Sequence, residues 1–314
     1  MISRFIDKYR QMFMSFATSD LVRAHSKKIR CEIRESILRQ NILNSTSSGV
    51  TDHVYEEGRQ VIVSLTTFGE RILWIGPAIE SIMEQTVKAN KIVLWLGHEF
   101  EKPHMIPQDL RMLEKRGLEI RFTEDCGPAT KLIPSLKAFP DDIIITIDDD
   151  TLYSYDLLDK LIRGHYRYPD AIITDYIDTI VADNGSFRYG LNTPESRPVI
   201  PTEPDIHPVA LGVSGVLYPP KSMHPDVTDT DLFRKLSPKA DDVWFKIMQL
   251  RAGTPVFCVC GTHPDNERLI SMEHHDPSLS LYRYNLLQGG NDKQLAALFE
   301  HFPEVRKYYT EEGR

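Results

Sequence analysis

The stretch Ile143-Ile144-Ile145-Thr146-Ile147-Asp148-Asp149-Asp150 constrains this chain more than any other. Its four isoleucines and one threonine form a β-branched run that reads as a buried strand. Three consecutive carboxylates end the run, and a core cannot hold an unpaired charge cheaply. The triplet therefore belongs at the strand's end, in a cleft, with something positive beside it. Carboxylates this close raise one another's pKa unless a cation neutralises them. A divalent metal on oxygen ligands, shared with substrate phosphates, is the simplest such cation. In open α/β sheets, ligands bind outside the carboxyl ends of the strands. The alternative is a solvated acidic turn, with Thr151 and Ser154 capping a helix that enters at Leu157-Leu158.

Around that stretch, short apolar runs alternate with helical patterns. Strands are expected at Val61–Leu65, Ile92–Leu96, Leu118–Phe122, Ile143–Ile147, Ala171–Thr174, Val213–Tyr218 and Val256–Val259. Helices are expected at Ile72–Gln85, Leu110–Lys115, Ala129–Phe139, Leu157–Tyr168, Asp242–Arg251 and again beyond Leu279. Regular alternation of this kind predicts an open, mostly parallel, doubly wound α/β sheet with helices on both faces. Residues 183–208, rich in Pro, Gly, Asn and Ser, read as a long loop over the site. Gly212 and Gly215 mark either a close approach of substrate to backbone or a glycine-closed strand.

Charge is unevenly spread. Residues 1–40 carry nine Lys/Arg and four Asp/Glu, a net of +5, which leaves −13 for the rest of a chain whose total is −8. Ile2, Phe5, Ile6, Tyr9, Met12, Phe13 and Phe16 fall at helical spacing among Arg4, Lys8 and Arg10. A second helical segment, about 20–40, carries Arg23, Lys27, Lys28, Arg30, Arg34 and Arg39. This basic amphipathic extension, residues 1–45, lies either on an anionic membrane surface or against the main domain or a second subunit of a homodimer. Residues 44–51 read as a flexible linker. The catalytic domain is expected over 55–290 and a helical tail over 291–314. No apolar run reaches the roughly 18–20 residues of a membrane helix, and no signal peptide is visible. Cys31, Cys126, Cys258 and Cys260 do not form a zinc-site pattern. The expected setting is cytoplasmic, at most peripheral on the inner face of the membrane, and the net negative charge argues against nucleic-acid binding.

Three features together resemble a GT-A glycosyltransferase of the inverting family-two kind found in bacterial lipopolysaccharide and capsule synthesis. They are a first strand followed by Thr66-Thr67, an apolar strand ending in Asp148-Asp149-Asp150 at the family's D-x-D position, and Asp241-Asp242-Val-Trp-Phe-Lys-Ile-Met-Gln-Leu-Arg-Ala-Gly. The resemblance runs from about Val61 to Gly261. It implies a nucleotide-sugar donor, UDP on family grounds, a glycan or glycolipid acceptor, and Mn²⁺ or Mg²⁺ as cofactor. Asp148 would face the nucleotide, Asp150 would bind the metal with Asp148, and Asp149 would orient. Thr66, Thr67, Arg71 and Lys131 would contact the donor. The second strand ends Leu96-Gly97-His98-Glu99 where the family has an Asp for the base, so Glu99 stands as a displaced substitute. His274 and His275 would add a metal or diphosphate contact, with a structural role as the alternative.

Sugar transfer also needs a base for the acceptor hydroxyl. Asp242 is the first choice and Asp241 the second, since adjacent carboxylates at a helix N-terminus feel its positive end and push each other's pKa values apart. Simple capping by Asp241 is the alternative. A sugar-nucleotide nucleotidyltransferase would share the fold and the metal but would want a Gly-rich basic loop after the first strand. An aspartyl-nucleophile phosphohydrolase would want Thr where Leu152 stands, and a non-catalytic glycan-binding protein would not need both acidic clusters.

Overall fold

The computed structural model describes residues 22, 25–183, 186–190, 200–261, 270–272, 281 and 283–309. The chain enters with helix α1 (25–44). Strand β1 (Val61–Thr66), helix α2 (Gly76–Met83), β2 (Lys91–Gly97), α3 (Gln108–Glu114), β3 (Leu118–Thr123), α4 (Ile133–Ala138) and β4 (Ile143–Thr146) then alternate as the sequence predicts. After β4 come β5 (Thr151–Leu152), α5 (Leu157–Arg167), β6 (Ile172–Asp178), β7 (Ile180–Asp183), β8 (Ser186–Tyr189), β9 (Val209–Ala210) and β10 (Val216–Tyr218). The remainder is α6 (Thr230–Leu236), α7 (Asp241–Ala252), β11 (Val256–Gly261), β12 (Ile270–Ser271) and α8 (Gly290–His301).

The main sheet has the order β11-β6-β10-β4-β1-β2-β3. Pairings β1–β2, β1–β4, β2–β3 and β11–β6 are parallel, whereas β10 runs against its neighbours β4 and β6, and β9, beside the outer part of β6, runs against it too. This is the doubly wound, mostly parallel arrangement expected of a GT-A fold. Each central strand is buried on both faces, which is why Ile143 to Ile147 read as one apolar run rather than an alternating one. Along β1, Val61, Val63 and Leu65 join the large core, while Ile62 turns to the other face and packs with Val93, Trp95 and Phe139.

Of the 1–45 extension, α1 packs on the main domain, one of the two settings the sequence left open: it buries Leu38 and Ile42, and Ile42 belongs to the main core. The 44–51 stretch is tethered rather than flexible. Gly49 N–H donates to Arg116 O at 2.8 Å, Thr51 N–H to Ala89 O at 3.0 Å, and Arg116 Nε to Ser47 O at 2.8 Å. A coil with so many backbone partners has lost the freedom its polar composition suggests. Likewise, the 291–314 tail packs Leu295, Leu298, Phe299, Phe302 and Val305 into the core. The 183–208 stretch is not all loop, since its first residues complete the β7–β8 hairpin. Residues 2–16, His274 and His275 lie outside the described residues.

Candidate active site

Strand β4 hands its last amide, Ile147 N–H, to Ser64 O of β1 at 3.1 Å, and the chain then leaves the sheet as Asp148-Asp149-Asp150. All three carboxylates are half-buried. Two buried or half-buried cations answer them. Lys131, in a short 3₁₀ turn (Gly127–Lys131) before α4, places Nζ 2.6 Å from Asp148 Oδ1. Arg71, in the 3₁₀ turn (Gly69–Leu73) after β1, donates from Nε to Asp149 Oδ2 at 2.8 Å and from Nη2 to Asp149 Oδ1 and Asp150 Oδ2, the last at 2.9 Å. Thr67 Oγ1 adds a 2.6 Å bond to Asp149 Oδ2. Asp149 is thus held on both oxygens by the loop after β1, as an orienting residue would be.

The same Lys131 ammonium stands 3.0 Å from Asp241 Oδ2, at the first residue of α7. Burial opposes the Lys131 charge, but Asp148, Asp241 and Asp242 outweigh it and hold the amine well above its ordinary pKa. Asp242, the next residue, accepts from Gly212 N–H at 3.0 Å. Burial foremost, then Asp241, pushes its carboxyl up to about 8, with Lys131 pulling the other way. Two carboxyls side by side therefore face different surroundings: Asp241 lies directly on a cation, whereas Asp242 is answered at 3.0 Å only by a neutral amide. Asp150 is also raised, by burial and by Asp149 and Asp148, against the pull of Arg71.

Gly212 is where sequence reasoning placed a close approach, and the neighbour turns out to be the site itself. A Cβ on Gly212 would meet Lys131 Nζ at 2.6 Å and Asp242 Oδ1 at 2.8 Å. Gly215 adopts φ +88°, a left-handed conformation that closes the turn before β10.

Three tyrosines went unnoticed in the sequence. Tyr153 Oη accepts from Asp148 N–H at 2.8 Å and donates to Val213 O at 3.1 Å, so it fixes the turn that carries the triplet. Tyr189, at the end of β8, is buried, and burial together with Asp242, Asp178 and Asp241 holds its phenol well above the ordinary value. Tyr218, at the end of β10, is raised by burial and by Asp242. Tyrosine spacing carries no pattern that would have marked them, because they arrive from three separate strands or turns.

Other expected contacts do not join this cluster. Thr66 Oγ1 is turned onto β2, donating to Trp95 O at 2.9 Å. Glu99 sits exposed in the 3₁₀ turn after β2 (His98–Phe100), with no described bond to the acidic residues or their cations. Among the described residues, no three His, Cys, Asp or Glu side chains converge as a metal site. Asp148 and Asp150 remain a two-carboxylate set beyond the carboxyl end of β4, and among the described residues the Thr151 hydroxyl reaches Asp150 Oδ1 at 3.4 Å. Hard divalent cations accept such a set when substrate phosphates and waters complete the shell.

No family model matches the chain, and no curated protein matches it. Among solved structures it is similar to a mannosyltransferase, PcManGT from Pyrobaculum calidifontis, in complex with GDP-Man and Mn²⁺, at 14% identity and a TM-score of 0.47, over 92% of this chain and 79% of that one. A second likeness is to a CMP:2-keto-3-deoxy-manno-octonic acid synthetase complexed with CTP, at 13% identity and a TM-score of 0.39, over 65% of this chain and 92% of that one. At this level neither likeness bears on what this chain binds or does.

Proposed function

We propose that the chain is a metal-dependent, inverting glycosyltransferase. It moves a sugar from a nucleotide-diphosphate donor, a UDP-sugar by resemblance, to a glycan or glycolipid acceptor of the cell surface. The observation that carries this reading is the Lys131 ammonium, shared between Asp148 at 2.6 Å and Asp241 at 3.0 Å. It brings the acidic triplet and the acidic pair into one cleft at the carboxyl end of β4, where an α/β sheet binds ligands.

The residues divide the work. Asp148 and Asp150 are the two carboxylates that would hold Mn²⁺ or Mg²⁺ together with the donor's phosphates. When bound there, the metal supplies Lewis-acid stabilisation of the departing diphosphate. Lys131 and Arg71 add fixed positive charge on the same side of the cleft. Thr67 and Arg71 keep Asp149 from turning into the site. Asp242, with its raised pKa, is the base: it takes the acceptor's hydroxyl proton as that oxygen attacks the anomeric carbon, and the C–O bond to the diphosphate breaks with its electron pair. A carboxyl poised near neutrality serves that task better than one ionised at pH 4. Asp241, held by Lys131, keeps the amine charged and the pair asymmetric.

A nucleotidyltransferase needs the loop after the first strand open to a triphosphate. Here that loop turns Arg71 onto Asp149 and Asp150. A phosphohydrolase needs a free Asp nucleophile after the strand, and Asp148 is instead tied to Lys131. The test is a thermal-shift and turnover screen of nucleotide sugars, with and without Mn²⁺, on wild type and Asp150→Ala. Stabilisation by one nucleoside diphosphate that needs the metal and is lost in the variant supports the reading. A response to no nucleotide at all rejects it.

A further inference from the structure

Helix α1 is apolar on two opposite faces. One face is accounted for: Cys31, Leu38 and Ile42 are buried against the body of the protein. On the other, Ile29, Ile33 and Ile37 are 42%, 56% and 47% exposed. Residues 29, 33 and 37 are spaced i, i+4, i+8, so they form one stripe along the helix. A helix that only packs on its own domain carries polar side chains there. Arg30 borders the stripe, and exposed Lys27 and Lys28 lie further round the same end of the helix. The acids on α1 are Glu32, and Glu35, which is buried against Arg39 at 2.8 Å.

We propose that this outward face of α1 docks on an anionic phospholipid bilayer. Apolar residues in a narrow stripe with basic residues beside it are the composition of a helix lying in the plane of a membrane interface. Each Lys or Arg near an anionic leaflet adds to the attraction. The rest of the chain carries the opposite charge, with −13 over residues 41–314, so this face is where an anionic surface is attracted rather than repelled. A second copy of the chain is a poorer occupant. A two-fold contact through the stripe would set two basic helices against each other. The sequence before α1 repeats the same pattern, with Ile2, Phe5, Ile6 and Tyr9 among Arg4, Lys8 and Arg10. Among the described residues, no helix is long and apolar enough to cross a membrane.

Docking here also sets the orientation of the cleft. The buried face of α1 packs on Leu152 and Met272, and Cys31 Sγ lies 3.4 Å from Ser271 O. Met272 N–H in turn donates to Asp150 O at 2.7 Å. Helix α1, ~10 Å across, and strand β12 therefore stand between the docked face and the acidic triplet.

The test uses full-length protein with phosphatidylcholine vesicles, with and without phosphatidylglycerol, and reads the bound fraction by co-sedimentation at low and high salt. No nucleotide sugar is present, so the result is independent of the transferase reading. The expected result is binding only to the anionic vesicles, weakened by salt. It should fall roughly tenfold in Ile29→Ser/Ile33→Ser/Ile37→Ser, whose Tm should match wild type because all three side chains are exposed. In Lys27→Ala/Lys28→Ala it should fall about thirtyfold. Equal binding to both vesicle types overturns the proposal, as does a triple-serine variant that binds like wild type. A wild-type dimer that the triple-serine variant converts to monomer overturns it in favour of a second copy. A polarity-sensitive label on Ile33→Cys that already reports an apolar setting without vesicles overturns it too, because something else then covers the face.

Discussion

Asp148, at the end of β4, and Asp241, at the first residue of α7, share one ammonium, that of Lys131, at 2.6 and 3.0 Å. The two carboxylates come from segments far apart in the chain, and the lysine is what sets their separation. Replacing it by Met leaves both facing a half-buried cleft without their cation. Removing one partner of a buried ion pair costs about 3–5 kcal/mol. Lys131→Met should lose stability on that scale in denaturant titration. Lys131→Arg should not restore it, because the Gly212 backbone lies against Nζ and leaves no room for a guanidinium.

The Asp242 carboxyl gives a pH signature with a definite sign. Its folded value, about 8, lies above the ordinary carboxyl range. Between about 4 and about 8 the folded state holds a proton that the unfolded chain releases, so this group makes stability fall as pH rises through that window. Asp242→Asn should flatten that part of the stability profile, measured as Tm against pH. In turnover the sign reverses: the base must be ionised, so kcat/KM should climb as pH rises toward about 8 and level off above it.

Gly212 is required by contact as much as by conformation. Gly212→Ala drives a methyl group to within 2.6 Å of Lys131 Nζ and 2.8 Å of Asp242 Oδ1. A displacement of catalytic groups by about 1 Å costs on the order of a hundredfold in rate. Turnover should drop on that scale, and metal-dependent nucleotide binding should weaken with it because Lys131 is displaced along with Asp242.

Arg71 opposes the upward push that burial and its acidic neighbours exert on Asp150. With Arg71→Met, the Asp150 carboxyl should hold its proton to higher pH and compete less well for a cation. Metal-dependent nucleotide binding, followed by calorimetry, should weaken more at the acid end of the pH range than at the alkaline end. Equal weakening at both ends would mean that Arg71 acts on the nucleotide alone.

Helix α1 belongs to the cooperative unit rather than to a detachable arm. Leu38 is wholly buried, so Leu38→Ala should cost about 2–5 kcal/mol and shift a single unfolding transition, not abolish an early minor one.

What could be read in the sequence follows from how local the signal is. The succession of strands β1 to β4 along the chain is legible in runs such as Ile143–Ile147 and Ile92–Leu96, where burial on both faces leaves an unbroken apolar stretch; their order in the sheet is not. The antiparallel β10 could not be read that way. Val216–Tyr218 is three residues long, and its direction is set by pairing with β4 and β6, not by composition. The carboxylates were visible because three consecutive Asp after an apolar strand have few explanations. Lys131 stood out in the sequence only as an expected donor contact, and its bridge to Asp241 is a long-range fact with no local trace. The tether of residues 45–51 depends on Arg116, which a polar stretch read by itself cannot reveal. Tyr153 and Tyr189 enter the site through turns and a hairpin that have no period to detect.

The central claim is a division of labour: the triplet holds the donor and Asp242 removes the proton. The most direct measurement sets calorimetric binding of a nucleoside diphosphate with Mn²⁺ beside sugar-transfer turnover, for wild type, Asp150→Ala and Asp242→Asn. The account predicts that Asp150→Ala loses binding and turnover together, whereas Asp242→Asn binds like wild type and loses turnover by about 10²–10⁴-fold. Wild-type turnover in Asp242→Asn, or undiminished nucleotide binding in Asp150→Ala, would contradict it.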